Sequence, residues 1–362
     1  VTRYRFRPVE DAPTFVEAWV EACKAADVAL FSSPAWIAVW LDRLPPGVTP
    51  WALYRDDRPL GLFGRTRGPF GGDRVLMSET GHSGADAIYA EDLDFLLPEQ
   101  DQAGRIAAMR ALLRTAGGRA EIVVRNATRA ASAALVRAAA DADRRLRVIN
   151  RQTAFSIDLD GVRRSGAGYV ESLGPGARRQ IRRSRRLYEE RGPLTLEIVS
   201  DADAFDDAWT DLVALHGAAW RARGREGVFA NDAVLRFHRD LVAVCARRPE
   251  FGLSAFIGRV RAGDDLIGCL YHLAWRGRVS NYQTGFRFEA DNRLKPGLVS
   301  HAMMADYLID AGERQYDLLA GGDYKSRLAF ETRPATSFVV ERRSAAAIVT
   351  RSARALKFLV RR

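Results

Sequence analysis

The chain has 362 residues, 47% of them hydrophobic, and a formal net charge of +10 with a pI near 9.9; that is length for about two domains and apolar content for two cores. It holds no apolar run of the roughly 18 residues that a membrane span needs, and the opening Val1-Thr2-Arg3-Tyr4-Arg5-Phe6-Arg7 has no apolar stretch, so neither a spanning helix nor a secretion signal is expected. Cys23, Cys245 and Cys269 are odd in number and far apart, which favours reduced thiols in a cytoplasmic protein over a disulfide framework or a zinc site. The basic balance points to anionic partners: a phosphorylated cofactor, tRNA, a nucleotide-linked substrate or a membrane surface.

In chain order, residues 4–9 read as a strand, 12–27 and 34–44 as helices, and 49–55, 60–65 and 74–77 as a strand meander. A helix over 99–116, a strand over 119–125, an Ala-rich helix over 128–143 and a strand over 152–159 follow. From about residue 151 the order repeats: strand, basic helix, strand 194–199, helices 203–223 and 232–247, then strands 251–260, 266–275 and 279–286. Arg261-Ala262-Gly263-Asp264-Asp265 and Arg276-Gly277-Arg278 supply the turns between those three. A helix from Pro296 to about Ala311 stops at Gly312, a strand spans 315–319, a short helix follows Asp323, and a last strand lies near 337–341. This β-α-α-β-β-β-α-β-α-β order resembles that of the GNAT fold. The resemblance implies an α/β (α+β) protein of tandem GNAT-like lobes, each a mixed, mostly antiparallel sheet flanked by helices: 1–150 on the acceptor side and 151–343 as the acyltransferase lobe, with a basic amphipathic tail over 344–362.

The two halves differ where a helix follows the meander. In the second, Arg293 and Lys295 stand one turn ahead of Pro296-Gly297-Leu298, where the first amides of a helix favour phosphate. In the first, Pro98-Glu99-Gln100-Asp101 would repel it. The donor site is therefore placed in the second half, with Arg293, Lys295, Gly297, Leu298 and Lys325 as its binding residues. Lysine is rare in this arginine-rich chain, and two of its four lysines, Lys295 and Lys325, fall in this segment.

The stretch from about Tyr169 to Phe338 resembles the acyltransferase domain of cellulose-biosynthesis-associated (CelD-like) proteins, a GNAT branch related to the Fem-type aminoacyltransferases. The resemblance is carried by Ser172-Leu173 with Arg178-Arg179-Gln180-Ile181-Arg182-Arg183, by Leu215-His216 with Trp220-Arg221, by Tyr282 with Gly285-Phe286, by Pro296-Gly297, and by Tyr316-Asp317 with Gly321 and Tyr324-Lys325. Fainter likeness covers Phe31-Ser32-Ser33 with Trp36 and Trp40, and the loop Gly81-His82-Ser83-Gly84-Ala85-Asp86. The chain departs from commoner GNAT enzymes in offering Asn292-Arg293-Leu294-Lys295-Pro296-Gly297 in place of a Gln/Arg-x-x-Gly-x-Gly/Ala loop. The resemblance implies an acyltransferase using acyl-CoA as co-substrate, without a metal, and a small-molecule or peptide amine as acceptor in a cleft between the lobes. A Fem-like aminoacyl-tRNA-dependent transfer and a non-catalytic tandem-GNAT binding module in polysaccharide biosynthesis stand as alternatives.

On the helix 203–223, His216 shares a face with Trp209 and Trp220; it reads either as a hydrogen-bonded core histidine or as the base that takes a proton from the attacking ammonium. Tyr282 reads as a strand aromatic or an acceptor-pocket wall. Tyr324 occupies the place where GNAT enzymes commonly keep a tyrosine that protonates the departing thiolate, and Asp317 is a strand residue pointing to the cleft or to solvent. Trp220, Arg221 and Asp86 are candidate acceptor contacts. The run Arg178 to Arg186 holds six arginines in helical spacing; Arg178 and Arg182 within it are candidate contacts to tRNA or another polyanion, or part of a solvated face. Arg351, Arg354, Lys357, Arg361 and Arg362 with Ile348, Leu356 and Leu359 would let the tail touch an anionic membrane or RNA.

Overall fold

The computed structural model describes residues 2–68, 71–117 and 120–342, leaving out the side chains at 202, 203, 323 and 342. The basic tail expected over 344–362 lies outside the described residues. The chain forms two compact units, Val1–Gln152 together with the chain from Pro334 on, and Thr153–Arg333. The boundary thus differs from a simple division at 150 and 343: the last strand, expected to complete the second lobe, belongs from Pro334 on to the first. Among the described residues no helix is long and apolar enough to cross a membrane.

The first unit contains β1 (Tyr4–Pro8), α1 (Ala12–Lys24), α2 (Pro34–Asp42), β2 (Thr49–Arg55), β3 (Arg58–Arg67), β4 (Asp73–Met77), α3 (Gln102–Thr115), β5 (Glu121–Ala127), α4 (Arg129–Asp141) and the start of β6 (Arg144–Asp158). β1 to β4 form antiparallel neighbours, and β4 pairs with β5 in parallel over Arg74↔Glu121 to Leu76↔Val123. Beyond that ladder the chain's own segment fills the place beside β5. Leu93 bridges Ala127 in parallel, its amide donates to Asn126 O at 3.2 Å, and the Leu96 amide donates to Leu60 O of β3 at 2.7 Å. Leu93, Phe95, Leu96 and Leu97 are buried, so apolar burial as well as backbone pairing holds this plug.

The second unit continues β6 and adds α5 (Leu159–Ser165), α6 (Tyr169–Ser172), α7 (Pro175–Glu189), β7 (Leu194–Val199), α8 (Ala202–Arg221), α9 (Asp232–Arg247), β8 (Leu253–Ala262), β9 (Asp265–Trp275), β10 (Arg278–Phe286), α10 (Pro296–Asp310), β11 (Gln315–Ala320) and the start of β12 (Glu331–Arg342). Its strands lie in the order β6-β11-β10-β9-β8-β7, all antiparallel except β10 with β11. From Thr336 on, β12 runs antiparallel to β5 in the first unit's sheet. Each unit thus has a mixed, mostly antiparallel sheet with helices around it, as the sequence pattern predicts. The β9–β10 turn places Arg276 at φ +51 and Gly277 at φ +75, the two-residue hairpin geometry whose twist matches that of its strands. At Gly285 of β10 a Cβ would lie 2.7 Å from the His216 amide nitrogen and 2.8 Å from Leu212 O, so only glycine lets the backbone of α8 rest against that strand. On the other face, Leu298, Ala302, Ala305 and Leu308 of α10 join Ile157, Tyr169, Ile181, Tyr316 and Leu318 in one buried cluster.

Candidate functional site

β10 and β11 pair only over Arg278↔Gln315, Val279↔Tyr316 and Ser280↔Asp317, although they run on to Phe286 and Ala320. Just past the ladder each strand is irregular against its other neighbour. The register of β10 on β9 shifts between Asn281 and Gln283, and that of β11 on β6 between Asp317 and Leu319, with Leu319 at φ +58. Bulges bend and twist a strand. The two strands therefore part, and beyond Ser280 and Asp317 no described strand lies between them.

Beside this opening stands the start of α10. Its N-cap, Lys295, makes no side-chain cap, and its first turn carries no acidic residue, so the first amides remain available to an anion. Two contacts fix its position: the Lys295 amide donates to Ser184 Oγ of α7 at 2.8 Å, and a Cβ on Gly297 would come within 3.1 Å of the Phe286 ring. Of the expected donor-binding residues, Gly297 lies in this first turn, and Leu298 buries its side chain in the core and has only its amide to offer. Lys295 is half-buried. Arg293 is turned toward Asp291, with its Nε 2.9 and 2.8 Å from the two carboxylate oxygens, and holds that carboxyl down at about 2. Lys325 donates to Ala320 O at 2.9 Å and so ties down the end of β11.

Tyr324 follows β11 in the turn Asp323–Arg327. It is 38% exposed, yet desolvation pushes its hydroxyl up to about 12, with Arg223 pulling the other way. A phenol so raised keeps its proton at neutral pH. Arg223 also stacks on Trp220 at 5.9 Å, so Trp220, Arg223 and Tyr324 share one neighbourhood. Arg221 is exposed and folds back over Gly217 of its own helix.

Other expected site residues have structural work. His216 is 3% exposed; its Nδ1 lies 2.8 Å from Thr284 O, which fixes the proton on Nδ1, and its Nε2 lies 2.6 Å from where a Cβ on Gly227 would stand. Burial lowers its pKa, the Thr284 carbonyl resisting. Tyr282 is buried with its ring 4.4 Å from that of His238 on α9. Asp317, 1% exposed, receives both guanidinium nitrogens of Arg333 at 3.1 and 2.8 Å and the Leu319 amide at 2.9 Å. Its oxygens are taken up in shaping the β11 bulge, which speaks against a role as base. Asp86, in the first unit, accepts from the Thr80 amide and hydroxyl and the Gly81 amide at 2.7 to 2.8 Å, and so clamps its own loop instead of presenting a carboxylate to an acceptor.

The arginine helix separates into two faces about 100° apart. Arg178 donates to Leu173 O at 3.3 Å, Arg182 to Glu171 at 2.9 Å and Arg185 to Asp306 at 3.2 Å. These are spent within the unit. Arg179, Arg183 and Arg186 are exposed, make no ion pair among the described residues, and share the face roughly opposite the buried Ile181, Ser184 and Tyr188. The expected anion contacts Arg178 and Arg182 thus each have a partner within the unit.

The sequence reading missed a buried polar chain beneath the parting strands. His301 Nδ1 of α10 lies 2.8 Å from the Tyr316 hydroxyl of β11, which lies 3.1 Å from His272 Nε2 of β9; that nitrogen is 3.4 Å from Asn281 Nδ2 of β10. Burial pushes both histidines down to about 3 and the Tyr316 phenol well above its ordinary value. The one sequence signal was a histidine four residues after Gly297, hence on the same side of α10.

Residues 175–326 match the family described as Acetyltransferase (GNAT) domain, and no curated protein matches the chain. Among solved structures, FemX superposes with a TM-score of 0.58 at 10% identity, over 92% of this chain and 96% of that one. L-PGS from Bacillus licheniformis gives 0.53 at 10% identity, covering 97% of each. The C-terminal domain (DUF2156) of a putative lysylphosphatidylglycerol synthetase from Agrobacterium fabrum gives 0.52 at 14% identity, over 96% and 98%. At such identities the likeness is one of fold. The matched segment, which contains α7, the parting strands and the start of α10, is similar to a GNAT acetyltransferase domain.

Proposed function

We propose that the second unit moves an acyl group from acyl-CoA to an amine acceptor. The observation that carries this reading is the uncapped start of α10 beside the parted β10 and β11. The helix amides and Lys295 would receive the pyrophosphate, and the strand backbone beyond the short β10–β11 ladder would receive the amides of the carrier arm as a strand would. The neutral amine attacks the thioester carbonyl, charge develops on its oxygen near the amides of the parted strands, the C–S bond breaks as the departing sulfur takes the proton of Tyr324, and the proton the nitrogen sheds in becoming an amide passes, directly or through water, to the Tyr324 oxygen and restores the phenol. Kinship with the cellulose-associated branch rests on the motifs alone.

Calorimetry with a panel of acyl-CoA thioesters tests the donor. Micromolar or tighter binding is expected, and Lys295→Glu should weaken it tenfold or more, about 1.4 kcal/mol. No heat with any thioester would rule the donor out.

One observation favours a second reading, transfer of an aminoacyl group from tRNA: the outward face of Arg179, Arg183 and Arg186. Replacing those three with glutamine would then abolish tRNA binding, and the salt slope measured for the native protein would show roughly 0.7 to 0.9 per phosphate contacted. Under the acyl-CoA reading the same triple variant keeps most of its donor affinity.

A further inference from the structure

We propose that His301 is a positioning residue whose Nε2 accepts a hydrogen bond from an amide N–H of the phosphopantetheine arm of the donor. The inference rests on the acyl-CoA reading and deepens it. The His301 ring is fully buried and is flanked by Phe286 at 5.8 Å, Tyr316 at 5.9 Å and Tyr324 at 6.2 Å. Those three rings come from the end of β10, from the last paired stretch of β11 and from the turn after β11, so the imidazole lies among groups that border the opening on both of its strands.

The direction of its hydrogen bonds follows from the chain it ends. The Asn281 side-chain nitrogen can only donate, so His272 Nε2, 3.4 Å away, is an acceptor. The Tyr316 hydroxyl then gives its proton to His272 Nε2 and accepts the Nδ1–H of His301. These tautomers are assigned from the network. His301 Nε2 is left as a bare lone pair, buried and without a hydrogen-bond partner among the described residues. An acceptor shut away from water in this manner is costly unless something donates to it. The groups facing it are the aromatic rings of Phe286 and Tyr324, with the Lys325 ammonium near enough to disfavour a charge on the ring. None of these asks the imidazole to become charged, so it is suited to accept a hydrogen bond from a neutral N–H and poorly suited to take a proton from an ammonium.

A carrier arm lying along the β10 edge brings amide N–H groups close to its thioester. Such an arm is the ligand class that satisfies Nε2 without altering its charge. The test uses His301→Asn, because the asparagine nitrogen takes the place of Nδ1 and keeps a donor to Tyr316 while the Nε2 acceptor is lost. Calorimetry with CoA, and steady-state kinetics with an acyl-CoA and with an alkyl thioester lacking the amides, give the readouts.

The expected result is CoA affinity down about tenfold and KM raised to match. kcat and its pH profile should be unchanged, the melting temperature close to wild type, and no penalty should appear with the amide-free thioester. Unchanged CoA affinity in a folded His301→Asn protein overturns the assignment while leaving the donor reading standing. A collapse of kcat with loss of the basic limb of the pH profile also overturns it, in favour of a base. Wild-type protein that binds no CoA overturns the donor reading and this inference with it.

Discussion

The two units share the core order β-α-α-β-β-β-α-β, from β1 to β5 in one and from β7 to β11 in the other, and each has one parallel strand pair among the described residues, β4 with β5 and β10 with β11, yet they treat the space beyond that pair in opposite ways. In the first unit, Leu93 and Leu96 pair with β5 and β3 through their backbones, and Phe95 and Leu97 bury beside them. The helix that follows is capped by its own acid, with Asp101 accepting from the Gly104 amide at 2.8 Å. In the second unit the corresponding strands part over a buried polar chain, and the corresponding helix starts with a lysine and no cap. The contrast teaches that this fold leaves an opening by default. A chain that does not use it must spend a dozen or so residues closing it, so an opening left lined with histidines and amides is itself a functional sign.

The largest expected effect lies on the open side. Tyr324→Phe removes the proton offered to the leaving sulfur and should lower turnover by a factor of about 10² to 10⁴ with donor affinity nearly unchanged. A variant at near wild-type turnover would assign the proton elsewhere and weaken the contrast between the units.

A second effect is thermodynamic and opposite in sign in the two units. His238, His272 and His301 sit near 3 against an ordinary 6.5. They are neutral in the fold while the unfolded chain takes up protons, so the stability they confer is complete above about pH 6.5 and is lost as pH falls toward 3. Glu79, in the first unit, is raised by burial from 4.5 to about 8, with Arg125 opposing. The fold then keeps a proton that the unfolded chain releases, so stability is complete below about pH 4.5 and declines as pH rises to 8. Each loss is on the order of a few kcal/mol. Site-resolved hydrogen exchange, corrected for intrinsic rates, should show the second unit losing protection first in acid and the first unit first in base. Glu79→Gln should remove the alkaline loss. Both units failing together at both extremes would show that they unfold as one.

The smallest effect is a control on the closed side. Asp101→Ala removes the cap of α3 and should cost about 1 kcal/mol in stability. It should create no measurable affinity for CoA, because the plug at Leu93 still fills the space. New CoA binding in that variant would mean that the cap alone distinguishes the units.

Much of this was legible in the sequence. Hairpin residues such as Arg276-Gly277 and helix signals such as Pro296 and Gly312 act locally, and they fixed the element order. What escaped was non-local. The chain from Asn281 through His272 and Tyr316 to His301 draws one residue each from four elements, and each sits in an otherwise apolar pattern where a polar member reads as incidental. The two faces of α7 were indistinguishable because both repeat at helical spacing; what separates them is Glu171, the Leu173 carbonyl and Asp306, supplied from elsewhere. The long β6 begins at Arg144, ahead of the strand expected from 152: its first residues are largely exposed and carry no core face.

One feature of the chain path governs how the molecule comes to be folded. The Asn126 amide donates to the Ser337 hydroxyl at 3.0 Å across 211 residues of sequence, where β5 meets β12. Closing a loop of that length in an open chain costs roughly 5 kcal/mol in entropy. Near the ends of the second unit, however, the Phe330 amide donates to Ser156 O at 3.2 Å, and Glu331 holds the Ser156 hydroxyl at 3.0 Å. Once that unit has folded, the two strand stems leave it side by side and the long loop is already shut.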